Sequence, residues 1–172
     1  MKLNIKETAV FALLGALMYS TKIIMEILPN VHLLGVFTVA ITAVYRRKAL
    51  YPIYVYVFIN GFFSGFAMWW IPYLYIWAVL WGAVMLLPKN IPTSLRPIVY
   101  MTVCALHGFL FGTLYAPAQA LLFGLDFKGM IAWIAAGLPW DFIHGVSNFV
   151  CGTLICPIIA VLKHSEKYIT RN

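Results

Sequence analysis

Charged residues interrupt this chain only in short clusters, and between them it runs apolar over lengths suited to crossing a lipid bilayer. The apolar stretches cover about residues 8–28, 33–45, 50–68, 72–87, 97–123 and 140–162. They are divided by Pro29-Asn30, by Arg46-Arg47-Lys48, by Pro88-Lys89-Asn90 and by a polar tail. Spanning a hydrocarbon core takes roughly 20 residues per helix, so six spans and short loops nearly fill the 172 residues. A water-facing shell needs about 25% charged residues, and this chain has 10% against 63% hydrophobic. The sequence predicts an all-α membrane protein, six transmembrane helices in a single compact bundle over residues 1–172, with no soluble catalytic domain. The first stretch lacks a signal-peptide cleavage site and reads as the first span. The second is short and is expected to be re-entrant or extended by its neighbours. Residues 127–138, flanked by Asp126 and Pro139, read as a hydrophobic loop or interfacial helix.

The cations sort by alternate loops. Lys2, Lys6, Arg46, Arg47, Lys48, Lys89, Arg96, Lys163, Lys167 and Arg171 fall on one side, and Lys22 and Lys128 on the other. Cytoplasmic loops carry the excess of Lys and Arg, so both termini are expected inside. The net charge of +7 is then a topology signal. Nucleic-acid binding would need a continuous basic face, and here the charges are scattered over four short segments. Cys104, Cys151 and Cys156 all lie in apolar runs, an odd set that argues against a disulfide framework or a zinc site.

In the first span Thr8, Ala12, Ala16 and Ser20 recur every fourth residue and share one helix face. Small residues in such a stripe let another helix approach closely, either within the molecule or on a partner. Gly108, Gly112 and Ala116 form a similar stripe for which internal packing is expected. Of the five acidic residues (Glu7, Glu26, Asp126, Asp141, Glu166), Asp141 opens the last span with His144 and Asn148. Spacings of three and four stack these three on one face. Polar groups at membrane depth face an interior cavity, so they are candidate walls of one; the alternative is a helix cap with interhelical bonds. His107 stands alone and reads as a satisfied core histidine. No two of His32, His107 and His144 have ligand spacing and no Cys or carboxylate cluster joins them, so no metal is expected.

The segment Met68-Trp69-Trp70-Ile71-Pro72-Tyr73-Leu74-Tyr75-Ile76-Trp77 is denser in aromatics than one interface crossing requires. It suits both a membrane belt and a wall for a flat organic ligand, with Trp133 and Trp140 on the same side. No nucleophile elbow, metalloprotease motif, P-loop or carboxylate pair is present, so the chain is not expected to be an enzyme. ATP-driven transport would need hydrolysis by another subunit. A proton-coupled secondary transporter using Asp141 or His144, or an intramembrane enzyme, stand as alternatives, although no internal repeat supports the former.

These features together resemble the S-components, the membrane-embedded substrate-binding subunits of energy-coupling factor (ECF) vitamin transporters. The resemblance runs over nearly the whole chain. It rests on the six spans, the Ala12-x-x-x-Ala16 stripe, the Pro29-Asn30-Val31-His32 turn, and the segment Leu138-Pro139-Trp140-Asp141-Phe142-Ile143-His144-Gly145-Val146-Ser147-Asn148-Phe149. It implies a small vitamin-like solute bound at the outer side, and partnership with a membrane scaffold subunit and two cytoplasmic ATPases in a bacterial or archaeal cell membrane. It further implies docking of the scaffold at Ala12 and Ala16, and ligand contacts among Asn30, His32, Trp69, Trp70, Tyr73, Tyr75, Trp133, Asp141, His144 and Asn148. No cofactor is implied. The Trp-Trp-x-x-Tyr-x-Tyr-x-Trp pattern looks like members associated with cobalamin, while an aromatic cavity suits any flat heterocycle. The scarcity of outer cations disfavours a multiply anionic ligand.

Overall fold

Asn4 starts the first helix through a reciprocal cap. Its side chain accepts the Glu7 N–H at 2.7 Å, and the Glu7 carboxylate accepts the Asn4 N–H at 3.1 Å; the pair satisfies donors that the first turn would leave open. The computed structural model describes residues 3–169; Lys2 and Arg171, counted above among the basic residues, lie outside them. Eight α-helices follow in order among the described residues: α1 Ile5–Met25, α2 Leu34–Tyr45, α3 Leu50–Ser64, α4 Tyr73–Leu86, α5 Arg96–Phe109, α6 Phe111–Phe123, α7 Phe127–Cys151 and α8 Ile155–Ile169. Single 3-10 turns, Arg46–Ala49, Met68–Trp70 and Gly152–Leu154, join or precede them. Four helical segments are long and apolar enough to cross a membrane: Ile5–Met25, Met68–Leu86, Arg96–Phe123 and Phe127–Tyr168.

The short second stretch forms the centre of the bundle. Every residue from Leu34 to Thr42 is buried, and α2 packs against α8, α4 and α5. A helix apolar on all sides belongs inside other helices. At 12 residues it rises only about 18 Å, which protein neighbours rather than lipid accommodate. The chain then reverses at Arg46, whose φ of 52° is uncommon for a side-chain-bearing residue. Two bonds hold that turn: the Arg46 guanidinium donates to the Met85 carbonyl at 3.0 Å, and the Trp81 indole donates to the Arg46 carbonyl at 3.0 Å. Lys48, in the same turn, pairs with Glu7. The start of α1, the α2–α3 turn and the end of α4 therefore meet at one end of the bundle. Lys89, Arg96 and Lys163 line a single cleft with Ala43 of α2 at that end.

Three sequence expectations need correction. Residues 127–138 form neither a loop nor a separate interfacial helix; they are the first half of α7, which runs unbroken through Pro139 to Cys151. Asp126 caps it by accepting the Gly129 N–H at 2.7 Å. Proline removes one donor from the helical ladder, but membrane helices tolerate this where neighbours re-satisfy the freed groups. Likewise the expected last span, 140–162, divides at Gly152–Leu154 between α7 and α8. The 97–123 stretch is also two helices, breaking at Leu110.

Glycines set the closest approaches. A Cβ on Gly108 would stand 2.9 Å from both the Gly145 Cα and the His144 carbonyl oxygen, and one on Gly145 would meet the Phe109 ring. The Gly108, Gly112 and Ala116 stripe is wholly buried, as expected for internal packing. Gly108→Val presses on α7 backbone that cannot rotate away, and should destabilise the protein by ~1–3 kcal/mol, lowering the thermal midpoint in detergent. Gly137→Ala, in open space on α7, should change stability by less than ~1 kcal/mol, toward greater stability. Equal midpoints for Gly108→Val and the unsubstituted protein would refute the close α5–α7 contact.

Candidate functional site

A largely buried aromatic and imidazole cluster lies between α3, α4, α5–α6, α7 and the loop before α2. The loop is tied down at Asn30, which takes a left-handed φ of 58°; its carbonyl accepts the Ser147 hydroxyl of α7 at 3.0 Å. Two residues on, His32 meets His144 of α7 edge to face, with ring centres 4.6 Å apart. Trp77 of α4, 1% exposed, is the hub. Around it stand Tyr56 at 5.9 Å, Tyr73 at 6.0 Å, His107 at 5.7 Å, Phe111 at 6.0 Å and His32 at 6.3 Å, centre to centre. Phe111 also lies 5.0 Å from His144. Edge-to-face and tilted packing at these separations is the favoured aromatic geometry.

The cluster holds an unusual number of polar atoms with no protein partner. They are His32 Nδ1, His107 Nδ1, His144 Nε2, Trp77 Nε1 and Tyr56 Oη. Each such atom costs about 1–3 kcal/mol when left unpaired in the interior, so a concentration of them calls for an explanation. His107 is only half satisfied: its Nε2 lies 3.1 Å from the Ile76 carbonyl and donates to it, which leaves Nδ1 as an acceptor.

Leading outward from Phe111 is a ladder of half-buried rings. Tyr115 follows at 6.4 Å, Trp133 of α7 stacks on Tyr115 at 5.7 Å, and Trp69 packs on Tyr73 at 5.6 Å. The Tyr115 hydroxyl donates to the Trp69 carbonyl at 3.1 Å and so closes the ladder across α6.

The residues anticipated for ligand contact separate into three groups. His32, His144 and Tyr73 sit in the cluster, and Trp69 and Trp133 join it through Tyr73 and Tyr115. Trp70 turns away: its indole donates to the Val57 carbonyl at 2.8 Å and packs between Phe58 and Phe66. Tyr75 donates its hydroxyl to the Leu114 carbonyl at 2.7 Å and ties α4 to α6. Asp141, His144 and Asn148 share a face but hold different partners. Both Asp141 oxygens accept the Gly112 N–H, at 2.9 and 3.0 Å, satisfying a donor in the first turn of α6 that the break at Leu110 would leave open. Asn148 donates to the Cys104 carbonyl at 3.2 Å. Trp77, His107, Phe111, Tyr56 and Tyr115 belong to the cluster although sequence spacing did not single them out for it. The four-residue step from Tyr73 to Trp77 was the one local signal available. Among the described residues no group of three His, Cys, Asp or Glu is placed to hold a metal ion. No protein-family model matches this chain, and no curated protein or solved structure does either.

His32 lies in a loop outside the helices, and burial pushes its imidazole down from the usual 6.5 to about 4. The folded protein thus keeps His32 neutral while the unfolded chain protonates it. Stability from this group is full above pH 6.5, falls as the pH drops toward 4, and is level below that. Replacing His32 with Gln should shrink the acid-side loss of stability in that window, measured by thermal unfolding in detergent across pH 4 to 7. An unchanged pH profile would mean His32 is not buried in solution.

Proposed function

We propose that this chain is the substrate-binding membrane subunit of an ECF-type importer for a vitamin or related small heterocycle. The carrying observation is the cluster of imidazole, indole and phenol groups around Trp77, in which several buried donors and acceptors have no protein partner. Flat heterocycles bind by stacking between such rings while a few polar atoms fix orientation. His32, His144, His107 and Trp77 read the ligand's polar edge in this proposal, and Tyr73, Phe111, Trp69, Tyr115 and Trp133 form the stacking wall and mouth. Loop and rings must part to admit the ligand, and Asn30, bonded to Ser147, is the hinge of that loop. Asp141, Asn148, Trp70 and Tyr75 support the wall through their backbone bonds.

Two further observations favour the reading. The small-residue stripe of α1 is not absorbed by internal packing: Thr8, Ala12 and Ser20 are exposed and Ala16 is half-buried, whereas Phe11, Gly15 and Met18 face the bundle. That leaves a smooth face for a scaffold subunit. The described basic residues gather mainly at one end, which the positive-inside bias puts in the cytoplasm, with the ligand cluster toward the outer side. In this arrangement α1, α2, α3, α4, α5–α6 and the stretch 140–162 across α7 and α8 are the six spans, both termini are cytoplasmic, and two ATPase subunits supply the energy.

Native mass spectrometry of the detergent-purified chain should reveal a retained heterocycle. His144→Ala and His32→Ala should each weaken its binding about tenfold, the loss of one oriented buried hydrogen bond. Ala12→Trp or Ala16→Trp should abolish uptake in cells carrying the scaffold and ATPases while leaving ligand binding intact. Uptake undiminished by either bulky residue would overturn the docking assignment. Gradient-driven flux in liposomes holding this chain alone would instead identify a secondary transporter.

A further inference from the structure

At the basic end, away from the aromatic cluster, a cleft of about 380 Å³ opens between the end of α2, the loop after α4, the start of α5 and α8. Three cations line it, Lys89, Arg96 and Lys163, together with the Thr93 hydroxyl, and no carboxylate does. That grouping is notable in a chain with only 12 Lys and Arg in 172 residues. Arg96 is half-buried, and its Nε donates to the Ile91 carbonyl at 2.9 Å, which fixes the plane of the guanidinium. The far wall is apolar, formed by Pro97, Ile159 and Ala160. A fixed guanidinium and two flexible ammonium groups beside Thr93 together make an anion receptor, with phosphate geometry favoured by the Arg fork.

We propose that this cleft binds the phosphate of an anionic glycerophospholipid. The apolar wall beside the cations fits the glycerol and upper acyl region. The cleft lies at the end of the bundle where the basic loops collect, a position suited to an anionic headgroup at the membrane surface. Lys89 and Lys163 neutralise the phosphate, Arg96 orients it, and Pro97 and Ile159 cover the first carbons below it. Neither the vitamin site nor docking at α1 is needed for this site to work.

The test is native mass spectrometry of the full chain after delipidation in detergent, with phosphatidylglycerol, phosphatidylcholine or glycerol 3-phosphate added separately. The expected result is retention of phosphatidylglycerol, at least tenfold reduced in the Lys89→Gln/Lys163→Gln double variant. Arg96→Lys, which keeps the charge but loses the fork, should give an intermediate loss. Lys128→Gln should match the unsubstituted protein. Both exchanged lysines are exposed, and an unchanged thermal midpoint confirms that the double variant is folded. Equal retention of phosphatidylglycerol by the double variant and the unsubstituted protein overturns the proposal. So does equal retention of phosphatidylcholine, which would show that acyl chains alone suffice. Binding of glycerol 3-phosphate as tight as that of the lipid would overturn the lipid source and make the cleft a receptor for soluble phosphate esters.

Discussion

Close backbone contact between α5–α6 and α7 is the interaction on which the rest of the arrangement depends. Gly108 faces the backbone at His144 and Gly145, Gly145 faces the Phe109 ring, and Gly112 lies against the Asp141 carboxylate. Where lipid surrounds the helices, apolar surface gains little by leaving one hydrocarbon for another, so association relies on tight packing and interhelical hydrogen bonds. The glycines supply the first, and Asp141 and Asn148 the second. This contact sets His144 opposite Phe111, and with it the geometry of the whole cluster.

The Asp141 bond also explains how the break at Leu110 is tolerated. A helix restart within a membrane segment exposes backbone donors that no water can meet. One carboxylate reaching across from α7 satisfies the Gly112 donor with both of its oxygens. Asp141 is thus first of all a support for the site, and His144, one turn further on, is the residue turned toward it. Residues that share a helix face can still have distinct partners, because each meets a different level of the neighbouring helix.

The cluster around Trp77 presents an energetic contrast. Its rings are packed in favourable geometry, yet several of their polar atoms find no protein partner. A fold selected for stability alone would use Phe and Leu at such positions, since an apolar residue carries no desolvation cost. Keeping imidazoles, an indole and a phenol there retains hydrogen-bonding groups at the expense of stability. The opposite end is organised by another rule: Glu7 and Arg46 hold the turn through bonds that tie it to α1 and α4, while Lys89, Arg96 and Lys163 line a cleft.

The sequence by itself determined the helical, lipid-compatible class of the chain, the approximate limits of α1, α2, α3 and α4, and the grouping of its cations. These follow from hydrophobic run length and charge spacing, which are local properties. It also marked the internal role of Gly108 and Gly112, but left the α1 stripe open between internal packing and a partner face; only the fold leaves Thr8, Ala12 and Ser20 exposed. It could not show that 127–138 continues through Pro139, because a proline reads locally as a boundary and only neighbouring helices make it tolerable. Nor could it separate Trp69, which packs on Tyr73, from Trp70, which packs against α3, since adjacent aromatics have the same local signature. The meeting of His32, Trp77, His107 and His144 was decided by tertiary structure alone. Those residues come from three helices and a loop, and contacts between positions so distant in the chain leave no periodicity to read.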